Sequence, residues 1–478
     1  MNRQTVCRSN LNGFDLGIAL LISSVSLAIW AALTIAANFG FHPALAVLGT
    51  LWLLTAGLPT TVGVVLAATV WGHAEPLSGF RGFLGLAVLL GFSFQIGTHC
   101  LIRRMVGAGQ KSRSRRKARH LGVSWSVSIC VGACLLVSTA PPLPNPPRVV
   151  DGHAHLFGDG PWPPVHGVTA GLSPSQRANR TYPMLLRLLR LPQTGDVDAA
   201  YVDELVRQAR EARMIFKGFQ VVLLAQDCRY TEAGDPDWTN STVYVPNARL
   251  FQVVASHPDL FLPCPSINPQ RKDWRAELTA CHQQGARVLK IHPPTQAVDP
   301  SNPRFREFYR ECARIGMRIM VHTGSEHSAP IASATLGDPR LVRLALDEGC
   351  TVIAAHAGTR SFFDPPQEDH FQDLLEMMAV YPNLYADTAV LGSQFRWRCI
   401  PDIVATPTIL PRIVHGSDWP FPSNAMVFWH RLHPLTTLAL MAEKNLFVRD
   451  ARLKSALGMP SESFERFRPL ISAQPTPP

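Results

Sequence analysis

The sequence has few charged residues, which argues against a wholly soluble enzyme. It also has no Cys-x-x-Cys pair, which argues against a protein built on a cysteine zinc cluster. Charged residues make up 17% of the 478 positions and hydrophobic residues 46%, which is apolar for a soluble enzyme and indicates that part of the chain lies in lipid. The ten cysteines are scattered along the chain, so a cysteine zinc cluster is not expected. We expect these cysteines to be buried thiols that pack as small apolar side chains.

The positive net charge is confined to one segment. The chain carries a formal charge of +10, and eight basic residues without an acidic one lie between residues 103 and 119, leaving +2 for the rest. These are Arg103, Arg104, Lys111, Arg113, Arg115, Arg116, Lys117 and Arg119. A nucleic-acid-binding surface spread over the protein is therefore not expected, and nucleic acid is not a predicted partner.

Long stretches of the first 140 residues contain no Asp, Glu, Lys or Arg. They are residues 16–37, 43–71, 82–102 and 121–140. Each is about as long as the ~20 residues that a helix needs to cross the hydrocarbon core. Four buried helices of a soluble domain would need polar faces that these stretches lack. We expect an all-α transmembrane module over 1–140, with the bilayer as a partner. Without a phosphate loop or an inverted repeat, it is interpreted as an anchor and not as a transporter.

The basic segment also predicts the orientation of this module. Residues 103–120 should stay in the cytoplasm by the positive-inside rule, so the fourth span carries the chain outward. Arg3 and Arg8 argue mildly against this, but eight charges outweigh two. We expect a multi-pass membrane protein whose C-terminal part is extracytoplasmic. Residues 141–147 are rich in proline and predict a stiff, non-helical linker.

After the linker, short apolar runs alternate with amphipathic segments. The predicted strands are 148–156, 218–226, 260–267, 286–292, 317–323, 351–357, 383–390 and 412–417. The predicted helices are 199–216, 273–284, 303–315, 338–349 and 367–380. Eight strands with intervening helices predict a (β/α)₈ barrel over 148–463. The insertions 158–198 and 227–246 should cover its mouth, and the tail 464–478 is predicted to be disordered.

Polar residues of metal-ligand type close five of the predicted strands. His153 and His155 end the first strand, and because side chains alternate along a strand, both should point to one side. The other strand ends carry Lys290, His322, His356 and Asp418. Catalytic groups of (β/α)₈ barrels come from the carboxyl ends of different strands, so these residues should meet at the mouth.

These motifs resemble the amidohydrolase superfamily over residues 148–430. The closest resemblance is to the amidohydrolase-related branch that includes aminocarboxymuconate-semialdehyde decarboxylase and the resorcylate decarboxylases. Besides the strand ends, it rests on Ser256-His-Pro-Asp-Leu-Phe261, Lys290-Ile-His-Pro-Pro294 and Asn383-Leu-Tyr-Ala-Asp-Thr388.

The resemblance implies a metal site and roles for its residues. A divalent ion, Zn²⁺ or a similar metal, would be held by His153, His155, His322 and Asp418. Asp418 would also take a proton from a metal-activated water, and His356 would hydrogen-bond the water or polarise the scissile carbonyl. Residues such as Asp151 would orient an imidazole through its other nitrogen.

Lys290 leaves the number of metal ions open. In binuclear members of the superfamily a strand-four lysine is carboxylated and bridges two ions, with the second ion on His322 and His356. In the resembled branch, such a lysine can instead bind a substrate carboxylate, and one ion is favoured here over two. His292 shares a strand face with Lys290 and is a further candidate for the pocket. Glu326, on the loop after the fifth strand, could touch substrate, but a solvated loop is the favoured interpretation.

Three function classes follow from this sequence. The favoured one is metal-dependent hydrolysis of an amide, lactone or ester-like carbonyl of a small molecule. The alternative is non-oxidative decarboxylation of a small carboxylic acid, for which the same ligands serve. The third is a membrane-anchored barrel without catalytic activity, which the complete ligand set disfavours.

Overall fold

The computed structural model describes residues 140–192 and 195–472. Its contacts divide the chain into two units, 1–142 with 428–439, and 143–427 with 440–478. The predicted membrane segments lie outside the described residues, except for residue 140. Among the described residues, no helix is both long enough and apolar enough to cross a bilayer. The predicted four-helix module and the lipid partner therefore stay predictions.

The larger unit contains all eight strands that the sequence predicts, each shorter than expected. They are β1 (Val150–His155), β3 (Gln220–Leu224), β5 (Phe261–Cys264), β6 (Val288–Ile291), β7 (Arg318–His322), β8 (Val352–Ala355), β9 (Leu384–Asp387) and β10 (Ile413–Val414). Two further short strands lie in the insertions, β2 (Gly171–Leu172) and β4 (Val243–Tyr244).

The eight strands form a closed parallel barrel. Hydrogen bonds join β1, β3 and β5 in one run and β6 to β10 in another. Single parallel bridges close the two gaps, Ser266 with Lys290 between β5 and β6, and Ala154 with Trp419 between β1 and the end of β10. The (β/α)₈ prediction is confirmed, and all strand ends that carry polar residues meet at one rim.

Helices alternate with and follow the strands along the described part of the chain. They are α1 (Pro174–Ala178), α2 (Thr181–Leu188), α3 (Val197–Ile215), α4 (Asn247–Ser256), α5 (Trp274–Gln283), α6 (Pro293–Gln296), α7 (Arg306–Arg314), α8 (Arg343–Asp347), α9 (Phe371–Val380), α10 (Cys399–Val404), α11 (Pro434–Ala442), α12 (Leu446–Ala456), α13 (Ser461–Glu465) and α14 (Phe467–Ser472). The longest, α3, begins after the capping carboxylate of Asp196 and buries Leu205, Ala209 and Ala212 on one face.

The barrel interior is layered, and this layering positions the site. Val288, Met320 and Ile353 belong to one buried apolar layer inside the barrel. Two residues further along their strands, Lys290 and His322 point inward again because the side-chain period is two. The polar cluster therefore lies directly above an apolar floor.

The chain after residue 463 differs from its prediction. Residues 464–472, expected to belong to a disordered tail, include the end of α13 and the helix α14. Phe467 is fully buried and Leu470 nearly so, and both pack against the apolar layer of the barrel. The tail prediction rested on the proline-rich end of the chain and overlooked these apolar residues, which close the bottom of the barrel.

The two insertions form a small structure of their own. Strand β2 from the first insertion pairs antiparallel with β4 from the second, Gly171 opposite Tyr244. Trp162 packs edge to face on Trp238, 5.7 Å between ring centroids, and so joins the two insertions again. Because the insertions follow β1 and β3, they lie at the carboxyl rim, as predicted.

Candidate metal centre

Three of the predicted metal ligands form one cluster at the carboxyl rim. Nε2 of His155 lies 3.1 Å and Nε2 of His153 lies 3.4 Å from Oδ1 of Asp418. His153 is fully buried and Asp418 nearly so. The potential ligand atoms of the three residues all lie within 4.8 Å of one another.

Local backbone geometry brings these side chains together. The end of β1 lies against the segment after β10, where the Asp418 amide donates to the carbonyl of His153 at 2.8 Å. Gly416 is required at this contact, because a Cβ atom there would lie 2.8 Å from Cβ of His153. Asp418 itself has a φ of 68°, a conformation that is uncommon for a non-glycine residue and often marks a functional site.

Asp387, for which no role was predicted, orients the candidate ligand His153. Its Oδ2 lies 2.7 Å from Nδ1 of His153, and its Oδ1 accepts from the backbone amides of His356 and Ala389 at 2.8 and 3.0 Å. The carboxylate only accepts, so Nδ1 of His153 carries the proton and Nε2 keeps its lone pair. The sequence signal that could have indicated this role is the position of Asp387 at the end of β9, inside the Asn383–Thr388 motif.

Asp151, expected to orient an imidazole, holds the backbone instead. Its Oδ1 accepts from the amides of His153 and Ser417, at 3.1 and 3.0 Å. The nearest imidazole nitrogen that pairs with it belongs to His415, 3.8 Å from Oδ2. Burial raises the pKa of Asp151 to about 6. Asp151 thus ties β1 to the segment after β10, and Asp387 takes the predicted role.

His322 lies in a neighbouring cluster with His292 and Glu326, the second of the metal-type groups. Nε2 of His292 is 3.1 Å and Nδ1 of His322 is 3.8 Å from Oε2 of Glu326. The two imidazole rings stack, with 4.0 Å between their centroids. Glu326 was interpreted as a solvated loop residue, but its side chain is only 8% exposed. By the distances between ligand atoms, His322 groups with His292 and Glu326, and its sharing of an ion with His153, His155 and Asp418 stays a prediction.

His356 lies between the two clusters. Its ring centroid is 5.0 Å from that of His153 and 4.7 Å from that of His322. Nδ1 donates to the carbonyl of Ala389 at 3.1 Å, so Nε2 keeps its lone pair. The residue has a φ of 62°, and its catalytic role stays a prediction.

Lys290 is fully buried beside the first cluster. Its Nζ lies 3.4 Å from Nε2 of His153, an uncharged nitrogen. Burial lowers the pKa of Lys290, and the negative charges of Asp387 and Asp418 oppose this effect. A buried cation next to candidate metal ligands is a strong sign of a functional role.

Electrostatics keep both clusters in the protonation states that metal binding needs. Burial would raise the pKa of Asp418, but the hydrogen bond from His155 and the interaction with the neighbouring His153 outweigh it, and the pKa lies below its usual value. Burial lowers the pKa of His153 to about 4 and those of His322 and His356 well below 6.5. The carboxylate is therefore ionised and the imidazoles are neutral near pH 7.

The donor set fits a divalent ion. A tetrahedral ion with bonds of about 2.0–2.1 Å separates its ligand atoms by about 3.3–3.4 Å. The separations of 3.1 and 3.4 Å around Asp418 bracket that value. Two imidazoles and a carboxylate suit Zn²⁺ and similar borderline ions.

A small cavity of about 110 Å³ opens beside His155 and His292. Aromatic and apolar side chains line much of it, among them Phe157, Tyr182, Tyr201 and Phe421. Polar groups lie at a few points of the wall, including Gln226 and Ser328. An apolar wall with a few polar groups is typical of small-molecule sites.

Arg396, which follows β9, braces loops of the mouth. It is buried and donates to the carbonyl of Thr359 at 2.7 Å and to the carbonyl of Ser325. These bonds fix the loop that carries Glu326 to the loop after His356. The guanidinium thus has backbone partners inside the protein.

Comparison with known proteins identifies the family. The family model described as "Amidohydrolase" matches residues 150–434, more than half of the chain. No curated protein matches the chain. Solved structures with a similar fold include an uncharacterised TIM-barrel protein from Bordetella bronchiseptica, 17% identical, covering 65% of this chain and 99% of that one, with a TM-score of 0.41.

Two decarboxylases are also among the similar structures. A 2,6-dihydroxybenzoate decarboxylase in complex with 2,6-dihydroxybenzoate is 14% identical, covering 66% of this chain and 99% of its own, with a TM-score of 0.35. A 5-carboxyvanillate decarboxylase from Novosphingobium aromaticivorans with bound manganese is 11% identical, covering 66% and 97%, with a TM-score of 0.34.

Proposed function

Because the chain belongs to the amidohydrolase family of enzymes, we propose that it is a metal-dependent decarboxylase of a small, planar carboxylic acid. The observation that carries this proposal is Lys290, a buried cation whose hydrogen-bond partner is an uncharged imidazole. Asp387 and Asp418 act on this charge from nearby, and the carboxylate of an acidic substrate would give it a direct partner.

The positive groups of the site support an anionic substrate. Three carboxylates, Asp387, Asp418 and Glu326, face the two clusters, and each pairs with an imidazole. A divalent ion would join Lys290 and the buried Arg396 as positive charges there. An anion that enters the site would be attracted by these charges, whereas a neutral ester or amide carries no charge for them to attract.

Different residues of the site would have different roles in decarboxylation. His153, His155 and Asp418 would hold the ion, which when bound draws electron density from a ligating oxygen of the substrate. Lys290 binds the departing carboxylate, and the aromatic wall keeps water away from the ring. When the carbon–carbon bond breaks, the electron pair stays on carbon, which takes a proton. Lys290, whose pKa is lowered by burial, is the ammonium acid closest to the cluster.

Hydrolysis is the second candidate, and one observation favours it. Asp418 has a pKa below its usual value and is an ionised proton acceptor beside the two imidazoles. It would take the proton of an attacking water and pass it to the leaving group. This was the function first favoured by the sequence.

The deciding experiment measures which product is released. Purified full-length protein, loaded with Mn²⁺ or Zn²⁺, is given hydroxybenzoates and small unsaturated acids in one set, and lactones and amides in another. We expect carbon dioxide from the first set, and a loss of at least about 100-fold in kcat/KM in Lys290→Met, the effect of removing a buried charged contact. Lys272→Met is the matched control, since Lys272 is exposed and pairs with Asp235.

The other outcomes contradict the proposal. Acid released from the second set without carbon dioxide from the first would assign hydrolysis. Metal-loaded protein that turns over neither set would favour a barrel without catalytic activity. Equal activity of Lys290→Met and wild type would remove the observation on which the proposal rests.

A further inference from the structure

We infer that Lys454 is a positioning residue of the candidate metal centre, although it belongs to helix α12 and not to the rim. Its side chain is fully buried, and Nζ donates to the carbonyls of Thr388 and Gly416, at 2.7 Å each. Thr388 follows β9, and Gly416 lies beyond the end of β10. One ammonium group thus joins the ends of two neighbouring strands. The inference rests on the metal centre of the proposed function and holds for either reaction.

The ammonium group acts where the regular pairing of β9 with β10 ends. The last bond of the ladder runs from the amide of Thr388 to the carbonyl of Val414, at 3.1 Å. In a regular parallel ladder, the amide of Gly416 would next donate to the carbonyl of Thr388. It donates instead to the hydroxyl of Thr388, at 3.4 Å. Lys454 supplies a donor in its place, beside the amide of Leu391 at 3.2 Å, and also serves the carbonyl of Gly416.

Both carbonyls lie next to residues that form the metal centre. Thr388 directly follows Asp387, whose carboxylate pairs with Nδ1 of His153. Gly416 lies two residues before Asp418 and packs against His153, where an added Cβ would be 2.8 Å from Cβ of the histidine. A shift of either carbonyl would therefore move a carboxylate that the centre needs. The ammonium group acts on the centre through the backbone of these two segments.

The ammonium group is itself held in one position. Its third hydrogen bond goes to Oδ2 of Asp450, one helical turn earlier on α12, at 2.5 Å. Asp450 is also buried. All three N–H donors of the ammonium group are then used, which fixes its orientation. Lys454 therefore forms a rigid connection between the two strand ends.

Stability alone does not explain a buried lysine at this position. Taking two charges out of water costs free energy, and an apolar pair of similar volume is often equally stable or more stable. Two apolar side chains in place of Asp450 and Lys454 would still allow α12 to pack, but they would make no hydrogen bond to the carbonyls of Thr388 and Gly416. What the lysine adds is directional bonding to the backbone beside the metal centre.

A second cation makes similar bonds at the beginning of β10. Nη1 of Arg466 donates to the carbonyls of Leu410 and Ile413, at 3.0 and 2.6 Å. Ile413 is the first residue of β10, so these bonds lie at the amino end of the strand, away from the rim. Arg466 therefore separates the general contribution of such bonds to stability from an effect on the metal centre.

The test compares zinc affinity with thermal stability in the purified full-length protein. The double variant Asp450→Leu/Lys454→Met removes both buried charges, and Arg466→Met is the matched control. Lys454→Met alone leaves Asp450 buried without its cation and should be less stable than the double variant. Zinc affinity is measured by competition with a chromophoric chelator, and the visible spectrum of bound Co²⁺ reports the ligand geometry.

We expect the double variant to fold and its zinc dissociation constant to rise about 10- to 100-fold, the range seen when residues that orient metal ligands are replaced. Its cobalt spectrum should differ from that of wild type. Arg466→Met should have a lower thermal midpoint but a dissociation constant within about twofold of wild type. A purely structural role of Lys454 would change the midpoint and leave the zinc affinity and the spectrum as they are.

Two results would overturn the inference. One is a folded double variant whose zinc affinity and cobalt spectrum match those of wild type. The other is an Arg466→Met variant that loses as much zinc affinity as the double variant, since the effect would then be one of general stability.

If the double variant fails to fold, as judged by circular dichroism, amide exchange of wild-type protein decides. Zinc should slow exchange in residues 450–456 as well as in 415–418, because coupling between two sites is reciprocal. Unchanged exchange in residues 450–456 would contradict the inference. Missing decarboxylase activity would leave all these measurements unchanged, whereas wild-type protein that binds no zinc would refute the metal centre itself, so the two proposals fail separately.

Discussion

Replacing Asp387 by Asn should weaken metal binding although Asp387 is not itself a predicted ligand. The carboxylate accepts a proton from His153 on one oxygen and from two backbone amides on the other. An asparagine can serve the two amides with its carbonyl oxygen. Its NH₂ group then faces Nδ1 of His153, where a proton already lies. Relief of this clash moves the imidazole proton to Nε2, the atom that would bind the ion.

The magnitude follows from the lost hydrogen bond. The 2.7 Å contact between His153 and Asp387 is charge-assisted and is worth about 1.5–3 kcal/mol. Removing it and forcing the tautomer that cannot ligate should weaken metal binding about 10- to 100-fold, the range seen when such supporting carboxylates are replaced.

The assay is competition for Zn²⁺ against a chromophoric chelator, with thermal unfolding measured on the same samples. Asp227→Asn is the control, because Asp227 is also buried and accepts from the amides of Cys228 and Asn268, outside both clusters. It should lose stability but keep its metal affinity. A metal affinity of Asp387→Asn within about twofold of wild type, in a folded protein, would refute the tautomer argument.

Three further predictions concern the strand contact, the pH dependence and the membrane module. Gly416→Ala places a Cβ 2.8 Å from Cβ of His153 and should cost about 1–3 kcal/mol by overpacking. Its thermal midpoint and zinc content should both fall, and unchanged values would contradict the contact. The pKa of His153 is lowered to about 4 in the fold but is about 6.5 in the unfolded chain, so its contribution to stability is complete above pH 6.5 and is lost as the pH falls towards 4. In metal-free protein, the difference in unfolding free energy between wild type and His153→Gln should change by up to about 1.4 kcal/mol per pH unit in that window, and a constant difference would be contrary to expectation. A reporter that is active only outside the cytoplasm, fused after residue 478, should give signal; a signal from a cytoplasmic reporter instead would reverse the predicted orientation.

The barrel and the rim residues were predictable because both follow from periodicity. Alternation of side chains fixes which residues face the interior, and the carboxyl ends of parallel strands must share one rim. His153, His155 and Asp418 were therefore found from sequence alone. The ring position of His356 between the clusters follows from the same rule.

The remaining residues depend on contacts between distant segments, which local patterns do not encode. Asp387 pairs with a residue 234 positions away. Glu326 lies on a loop whose direction is set by Arg396 and by the amides of Ser328 and Ala329. The sequence pattern of that loop resembles a solvated one, so its burial, and the contact of Glu326 with His292 and His322, became visible only in the structure.

One of the joins that close the barrel wall runs through the candidate metal centre. His153 and His155 lie on one side of the bridge between Ala154 and Trp419, and Asp418 lies on the other. An ion bound there would connect the two sides of this join. Removing the metal should therefore increase local opening at the join, with faster amide exchange at Asp418 and His155 than in the interior of β7 and β8.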